Sequence, residues 1–255
     1  MLGRMEPAGR FGVRMLAAAV LCLAAAGCRD VALGDVPGLI FWSGAETGDT
    51  SEWTAGGSGA IFIQAQGQVE PVNAPVRRGA HSFLALINDP DATLTQAALF
   101  RNGPFPAEAY YSAWFRLGET HTTAYWAIMK IQAFVSPGDT MPVNVWDLVL
   151  ESDAAGILTL FLSDHRTNET VARSTMPVPI GVWFHVEMLV KASTDATGSM
   201  AVWQDGVRVL GVDNYVTAPS DQLAFGVGNI ATAISPTLAS IWIDDAAIST
   251  QRLGP

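Results

Sequence analysis

The chain has 255 residues, 49% of them apolar and 15% charged, and carries a formal charge of −10. That length and apolar content suffice for one packed domain or two small ones, the absence of long single-sign charge runs excludes a disordered chain, and the acidic balance excludes a general nucleic-acid binder. The 24 Gly and 14 Pro interrupt the chain too often for a coiled coil and suit short strands joined by turns.

The first element is a leader. Arg4, Arg10 and Arg14 precede an apolar run from Met15 to Ala26, which ends at Gly27 and Cys28. A basic start, about a dozen apolar residues and small residues at the end describe a secretory signal peptide, too short to span a bilayer comfortably. Leu23-Ala24-Ala25-Ala26-Gly27-Cys28 resembles a bacterial lipobox, although Ala25 stands where that motif usually has Leu. The resemblance implies cleavage after Gly27, lipidation of Cys28 and attachment to the membrane through acyl chains alone, each buried CH₂ contributing about 0.8 kcal/mol. The other reading is an ordinary cut near Ala26 that leaves Cys28 a free thiol. Cys22 would leave with the leader, so neither reading yields a disulfide. Arg29 after the Cys is compatible with transfer to the outer membrane, so an exported protein of the bacterial cell envelope is expected. Residues 1–27 read as leader, 28–39 as tether and 40–250 as the folded domain.

Strands are expected at Ile40 to Trp42, Ala60 to Gln64, His81 to Ile87, Thr93 to Phe100, Tyr110 to Leu117, Tyr125 to Phe134 and Val143 to Glu151. They continue at Ile157 to Ser163, Thr170 to Ser174, Val182 to Lys191, Ser199 to Gln204, Val207 to Val212, Gln222 to Val227 and Ser240 to Ile248. These segments are short, rich in β-branched and aromatic residues, and bounded by Gly, Pro, Asn or Asp. Only Asp91 to Phe100 leaves room for a short helix. Alternation assigns faces: Phe184, Val186, Met188 and Val190 oppose Trp183, His185, Glu187, Leu189 and Lys191, and Tyr111, Ala113, Phe115 and Leu117 oppose Tyr110, Ser112, Trp114 and Arg116. Asn144, Trp146, Leu148 and Leu150 likewise oppose Val145, Asp147, Val149 and Glu151. Asp205-Gly206 suits a tight hairpin. So many half-apolar strands bury their faces most economically as an all-β, two-sheet antiparallel β-sandwich of jelly-roll type.

Three stretches together resemble the concanavalin A-like lectin/glucanase superfamily. They are Phe41-Trp42-Ser43-Gly44-Ala45-Glu46-Thr47-Gly48-Asp49-Thr50-Ser51-Glu52-Trp53; Gly181-Val182-Trp183-Phe184-His185-Val186 with Gly198 through Gly206; and Ile241-Trp242-Ile243-Asp244-Asp245-Ala246-Ala247-Ile248. The second is similar to a hairpin of laminin-G-like domains and heparin-lyase-like polysaccharide lyases. The superfamily holds lectins, hydrolases, lyases and adhesion modules, so the fold alone does not name an activity.

The resemblance implies a carbohydrate face on which aromatic rings form platforms and polar groups read hydroxyls and carboxylates. By alternation Trp114 shares a face with Arg116, Trp126 with Lys130 and Gln132, and Trp183 with His185 and Glu187. The lyase-like relatives neutralise a uronate carboxylate and move a proton with Gln, His, Arg, Lys or Tyr. The matching residues are Arg116, Lys130, Gln132 and His185, with Trp114, Trp126 and Glu187 completing the ligand face. Where many lyases have Q-x-H, this chain reads Lys130-Ile131-Gln132-Ala133-Phe134 and lacks the His, which leaves His185 as the candidate base, its ordinary pKa lying near neutral. Asp147 and Glu151, about 13 Å apart along a strand, are too distant for a glycosidase pair. The resemblance also implies a structural Ca²⁺ where the chain ends meet, held by Glu46, Asp49 and Asp244 or Asp245. No G-x-S-x-G, H-E-x-x-H, C-x-x-C or phosphate-binding loop is present.

The expectation is a cell-envelope lipoprotein whose jelly roll binds a polysaccharide or other glycan, touches the membrane through its N-terminal lipid and has no nucleic-acid partner. The alternative is a polysaccharide lyase acting on uronate-containing glycan by β-elimination. A third reading is a structural or adhesive surface module.

Overall fold

The computed structural model describes residues 36–89, 93–136 and 138–255. The leader, Cys28 and most of the expected tether lie outside the described residues.

The regular secondary structure of the described chain is almost entirely strand, arranged in two sheets. Sheet A runs, in spatial order, β13 (Val207–Tyr215), β12 (Gly198–Gln204), β11 (Phe184–Lys191), β6 (Glu108–Leu117), β15 (Leu238–Ser249), β4 (Ser82–Asn88) and β3 (Gln66–Val72), with β1 (Leu39–Ser43) also paired to β15. Sheet B runs β10 (Glu169–Pro177), β9 (Leu158–Asp164), β8 (Val143–Ser152), β7 (Tyr125–Ala133), β14 (Leu223–Thr232), β5 (Thr95–Asn102) and β2 (Gly59–Gln64). Strand pairing within both sheets is antiparallel. This is the expected two-sheet sandwich.

The inner faces make one apolar core. Tyr111, Phe115, Phe184, Val186 and Met188 from sheet A meet Met129, Trp146, Leu148, Leu160 and Phe225 from sheet B. Tyr111 and Phe225 touch across the layers, their rings 5.3 Å apart. Burying one such aromatic stabilises the fold by roughly 1.5–3 kcal/mol, so two interleaved faces of them hold the layers together. The alternation assigned to β6 and β11 from sequence is the alternation observed.

Two elements were not anticipated. β3 (GQVEP within its span) carries Gly67, Glu70 and Pro71, which weaken the strand signal, yet it sits at the sheet edge where a missing N–H is tolerated. A short helix α1 (Ser51–Thr54) buries Trp53 under the first motif, where Phe41 packs edge-on at 4.9 Å. Among the described residues no helix is long and apolar enough to cross a membrane.

Candidate active site

Two bulges build the outer face of sheet B. Between Ala127 and Met129 the register of β7 against β8 slips, and Ile128 and Met129 both turn into the core. An extra residue reverses the parity of everything beyond it, so Tyr125 and Ala127 face outward with Lys130 and Gln132. In β8 a second slip sends Val145 and Trp146 both inward, which puts Asn144 and Asp147 on that same outer face. The strict alternation expected for these strands is therefore broken where the polar groups lie. Trp126, expected beside Lys130 and Gln132, is buried in the core, where its indole N–H donates to Asn229 Oδ1 at 2.9 Å.

Asp147 is the hub of the resulting cluster. Its fully buried carboxylate accepts from the Tyr125 hydroxyl at 2.7 Å, from Asn144 Nδ2 at 2.9 and 3.1 Å, and pairs with Lys130 Nζ and with His165 Nδ1, both at 3.2 Å. Lys130 also donates to the Tyr125 oxygen at 3.1 Å. Burial pushes the Asp147 carboxyl up, but the His165 hydrogen bond, the Lys130 charge and the Tyr125 hydroxyl outweigh it and hold the group below the ordinary carboxylate range. Burial lowers the Lys130 ammonium against the opposing pull of Asp147. Burial and the Asp147 charge raise the Tyr125 phenol, so it keeps its proton. His165, half exposed, offers Nδ1 to Asp147 and leaves Nε2 for the solvent side.

Over this cluster opens a cleft of about 660 Å³, a size ordinary for a ligand site. Its apolar floor is Phe62, Phe100 and Phe161. Gly226 lies under Phe100, where a Cβ would come within 2.2 Å of the ring, so glycine is required for the ring to lie there. Among the described residues, Lys130 and His165 are the charged or chargeable bases in the lining, and no Asp or Glu lines it. In a chain of formal charge −10, a described lining without carboxylates spares an anion the repulsion it meets elsewhere, while the Lys130 charge is shared with the ionised Asp147 beneath it.

The family model for polysaccharide lyases matches residues 45–247, nearly the whole described chain. The chain belongs to the polysaccharide lyase family. Solved structures of similar fold include the endo-beta-1,4-glucuronan lyase of the fungus Trichoderma reesei (18% identity, TM-score 0.65, covering 84% of this chain and 96% of that one). The cellulose-induced protein Cip1 is similar at 16% identity and TM-score 0.57, covering 85% and 100%. The marine alginate lyase of Aplysia kurodai is similar at 8% identity and TM-score 0.56, covering 85% and 99%. A comparison with curated protein sequences gives no match. These structural likenesses show the jelly-roll fold alone, and the family match supports the lyase alternative better than a binding module without turnover.

In this lyase-family chain the sequence-derived site residues divide between the two sheets. Lys130 and Gln132 line the cleft; Trp114, Arg116, His185 and Glu187 lie on the outer face of sheet A. Arg116 Nε donates to the Gly181 carbonyl at 3.0 Å. Glu187 is fully buried and accepts from Arg252 Nε at 2.7 Å and from the Leu253 and Gly254 amides at 2.7 and 3.3 Å, so it anchors the C-terminal segment instead of facing a ligand. His185 is buried beneath that segment, and burial drives its pKa down to about 4. Tyr125, Asn144 and His165 were missed because bulges and a turn, not spacing, bring them to Asp147.

The carboxylates expected to hold Ca²⁺ are separately engaged. Glu46 accepts from the Ala80 and His81 amides, Asp49 from the Ser51 amide, and Asp244 from the Arg77 and Arg78 amides. Among the described residues no three His, Cys, Asp or Glu side chains are grouped to hold a metal ion.

Proposed function

We propose that the chain cleaves a uronate-containing polysaccharide by β-elimination in the sheet B cleft. The observation that carries this reading is the ionised, buried Asp147 gathering Tyr125, Lys130 and His165 beneath a cleft whose described lining holds no further carboxylate, in a chain of the lyase family. The reaction needs the uronate carboxylate neutralised, a base for the proton on C5 and an acid for the oxygen leaving C4. The Lys130 charge and the amide of Gln132, which makes no hydrogen bond to another described residue, serve the carboxylate. His165, its Nδ1 taken by Asp147, removes the C5 proton at Nε2. The Tyr125 hydroxyl protonates the glycosidic oxygen as the C4–O bond breaks and the C4–C5 double bond forms. Lys130, donating to Tyr125 across 3.1 Å, stabilises the phenolate until solvent returns the proton gained by His165. The raised phenol keeps Tyr125 protonated at rest, which argues against it as the resting base, and its weak acidity makes the Lys130 ammonium beside it necessary for the donor role.

Incubation with polyglucuronate, alginate and heparin, followed by the ultraviolet absorbance of the unsaturated uronate, tests the reading. Product from at least one polymer is expected. Retention of a polymer without any unsaturated product would return the protein to a binding role. We also propose export and lipid attachment at Cys28, supported by the leader; incorporation of labelled palmitate that is abolished by Cys28→Ala is the expected result.

A further inference from the structure

A second, smaller pocket of about 210 Å³ opens on the outer face of sheet A, on the opposite layer from the cleft. Trp42 of β1, Ser112 and Trp114 of β6, His185 of β11, Asp245 of β15 and Arg77 of the β3–β4 loop line it. Ser112 and His185 are each 2% exposed. Buried polar side chains are nearly always paired within a fold, yet neither the Ser112 hydroxyl nor the His185 ring makes a hydrogen bond to another described residue. His185 Nδ1 is sealed off without a partner, which leaves Nε2 to meet whatever enters the pocket.

The charged wall is fixed in place. The Arg77 guanidinium lies 3.7 Å from the centre of the Trp114 ring and donates through Nη1 to Asp245 Oδ2, while the Trp42 indole N–H donates to Asp245 Oδ1 at 3.1 Å. Arginine has five N–H donors, so after this contact most of the fork remains for a carboxylate. Burial keeps His185 neutral near pH 7, so its ring can trade hydrogen bonds with hydroxyls without repelling Arg77. The volume lies below the range for extended ligands and fits one ring, not a chain.

We propose that this pocket is a second carbohydrate site that holds a single uronate residue, its carboxylate on Arg77 and its hydroxyls on Ser112 and His185. The choice of a uronate over another small carboxylate rests on the function proposed for the cleft; the existence of the site does not. A polymer held here by a terminal residue while another stretch enters the cleft would stay near the enzyme between cuts through effective concentration.

The cleft lining contains no tryptophan, so the indole N–H signals of Trp42 and Trp114 in a ¹H–¹⁵N spectrum report on this pocket separately. Titration of the full chain with glucuronate is expected to shift both signals saturably, whereas glucose and acetate, each lacking half of the recognised chemistry, shift them weakly. Arg77→Gln and Ser112→Ala, each checked for an unchanged melting temperature, are expected to weaken the response, Arg77→Gln by about tenfold or more for one charge-assisted contact. Unmoved Trp42 and Trp114 signals would overturn the proposal, as would shifts that both variants leave intact. Indole shifts in a protein that yields no unsaturated product would keep this site and discard the lyase reading; product without indole shifts would do the reverse.

Discussion

Tyr125 and Lys130 stand an odd number of residues apart in β7, yet their polar atoms meet at 3.1 Å on one face. A regular strand would put them on opposite faces; the bulge at Ile128 and Met129 reverses the parity between them. The pairing exists only because the strand is irregular, and Asp147, delivered by the matching irregularity in β8, locks it.

Tyr125→Phe removes the hydroxyl and little else, since Asp147 keeps Asn144, Lys130 and His165. The fold should persist while turnover on the best polyuronate falls by about 10²–10⁴, the range for losing a positioned proton donor. Measured kcat should carry the loss, with KM changed little. Activity retained within a few fold would remove Tyr125 from the chemistry.

Asp147 and Lys130 are nearly inaccessible, their side chains 0% and 7% exposed. Asp147→Asn strands the ammonium and should cost about 3–5 kcal/mol in denaturant unfolding. The pair Asp147→Leu with Lys130→Met should recover most of that stability, because an apolar pair of similar size avoids the desolvation of two charges. It should recover none of the activity. A double variant as unstable as Asp147→Asn would mean that the ion pair, or the Tyr125 and Asn144 hydrogen bonds that Leu also removes, stabilises the fold.

The sandwich was legible because strands such as β6 and β11 alternate without interruption, and their inward residues are those expected. The site was not legible, because it sits where alternation fails. In β8 the doubled apolar pair Val145-Trp146 between Asn144 and Asp147 is a visible sign of a bulge. In β7 the sign is hidden, since Trp126, Ala127, Ile128 and Met129 are all apolar and any register would bury something suitable. His165 lies in the turn after β9 and reaches Asp147 only through the strand order of sheet B. Glu187 and His185 alternate outward as expected, but the chain beyond β15 folds back over them, which no local pattern announces.

Two buried groups on sheet A make opposing contributions to stability against pH. Burial lowers His185 from its ordinary 6.5 to about 4, so between those values the unfolded chain binds the proton that the folded one refuses, and stability rises with pH. Burial and the neighbouring Asp245 raise Asp244 from 3.8 to about 7, so the folded chain binds the extra proton and stability falls with pH across nearly the same window. In the wild type these two contributions should therefore largely cancel between pH 4 and 7, leaving the rise contributed by His121, which burial also lowers. Asp244→Asn should unmask a stability that climbs with pH, and His185→Gln one that declines. Chemical unfolding at a series of pH values checks this; parallel profiles for the three proteins would contradict it.

The C-terminal segment is held by one buried carboxylate. Glu187 takes Arg252 Nε and the Leu253 and Gly254 amides, and the Arg252 guanidinium lies 4.3 Å from the centre of the Trp203 ring. Glu187→Gln keeps the shape but removes the charge and half of the acceptor capacity, leaving an amide N–H facing donors. Because Arg252 is more than a third exposed, water compensates its charge, and the expected loss is about 1–3 kcal/mol, less than for a fully buried pair. Hydrogen exchange at Leu253 and Gly254 should accelerate well before the core of sheet A opens, since the segment can detach without disturbing β11. Arg252→Gln should be the costlier change, because it leaves the inaccessible Glu187 carboxylate with two backbone amides alone. If Arg252→Gln proved the milder of the two, the clamp would owe its strength to those amides and not to the ion pair.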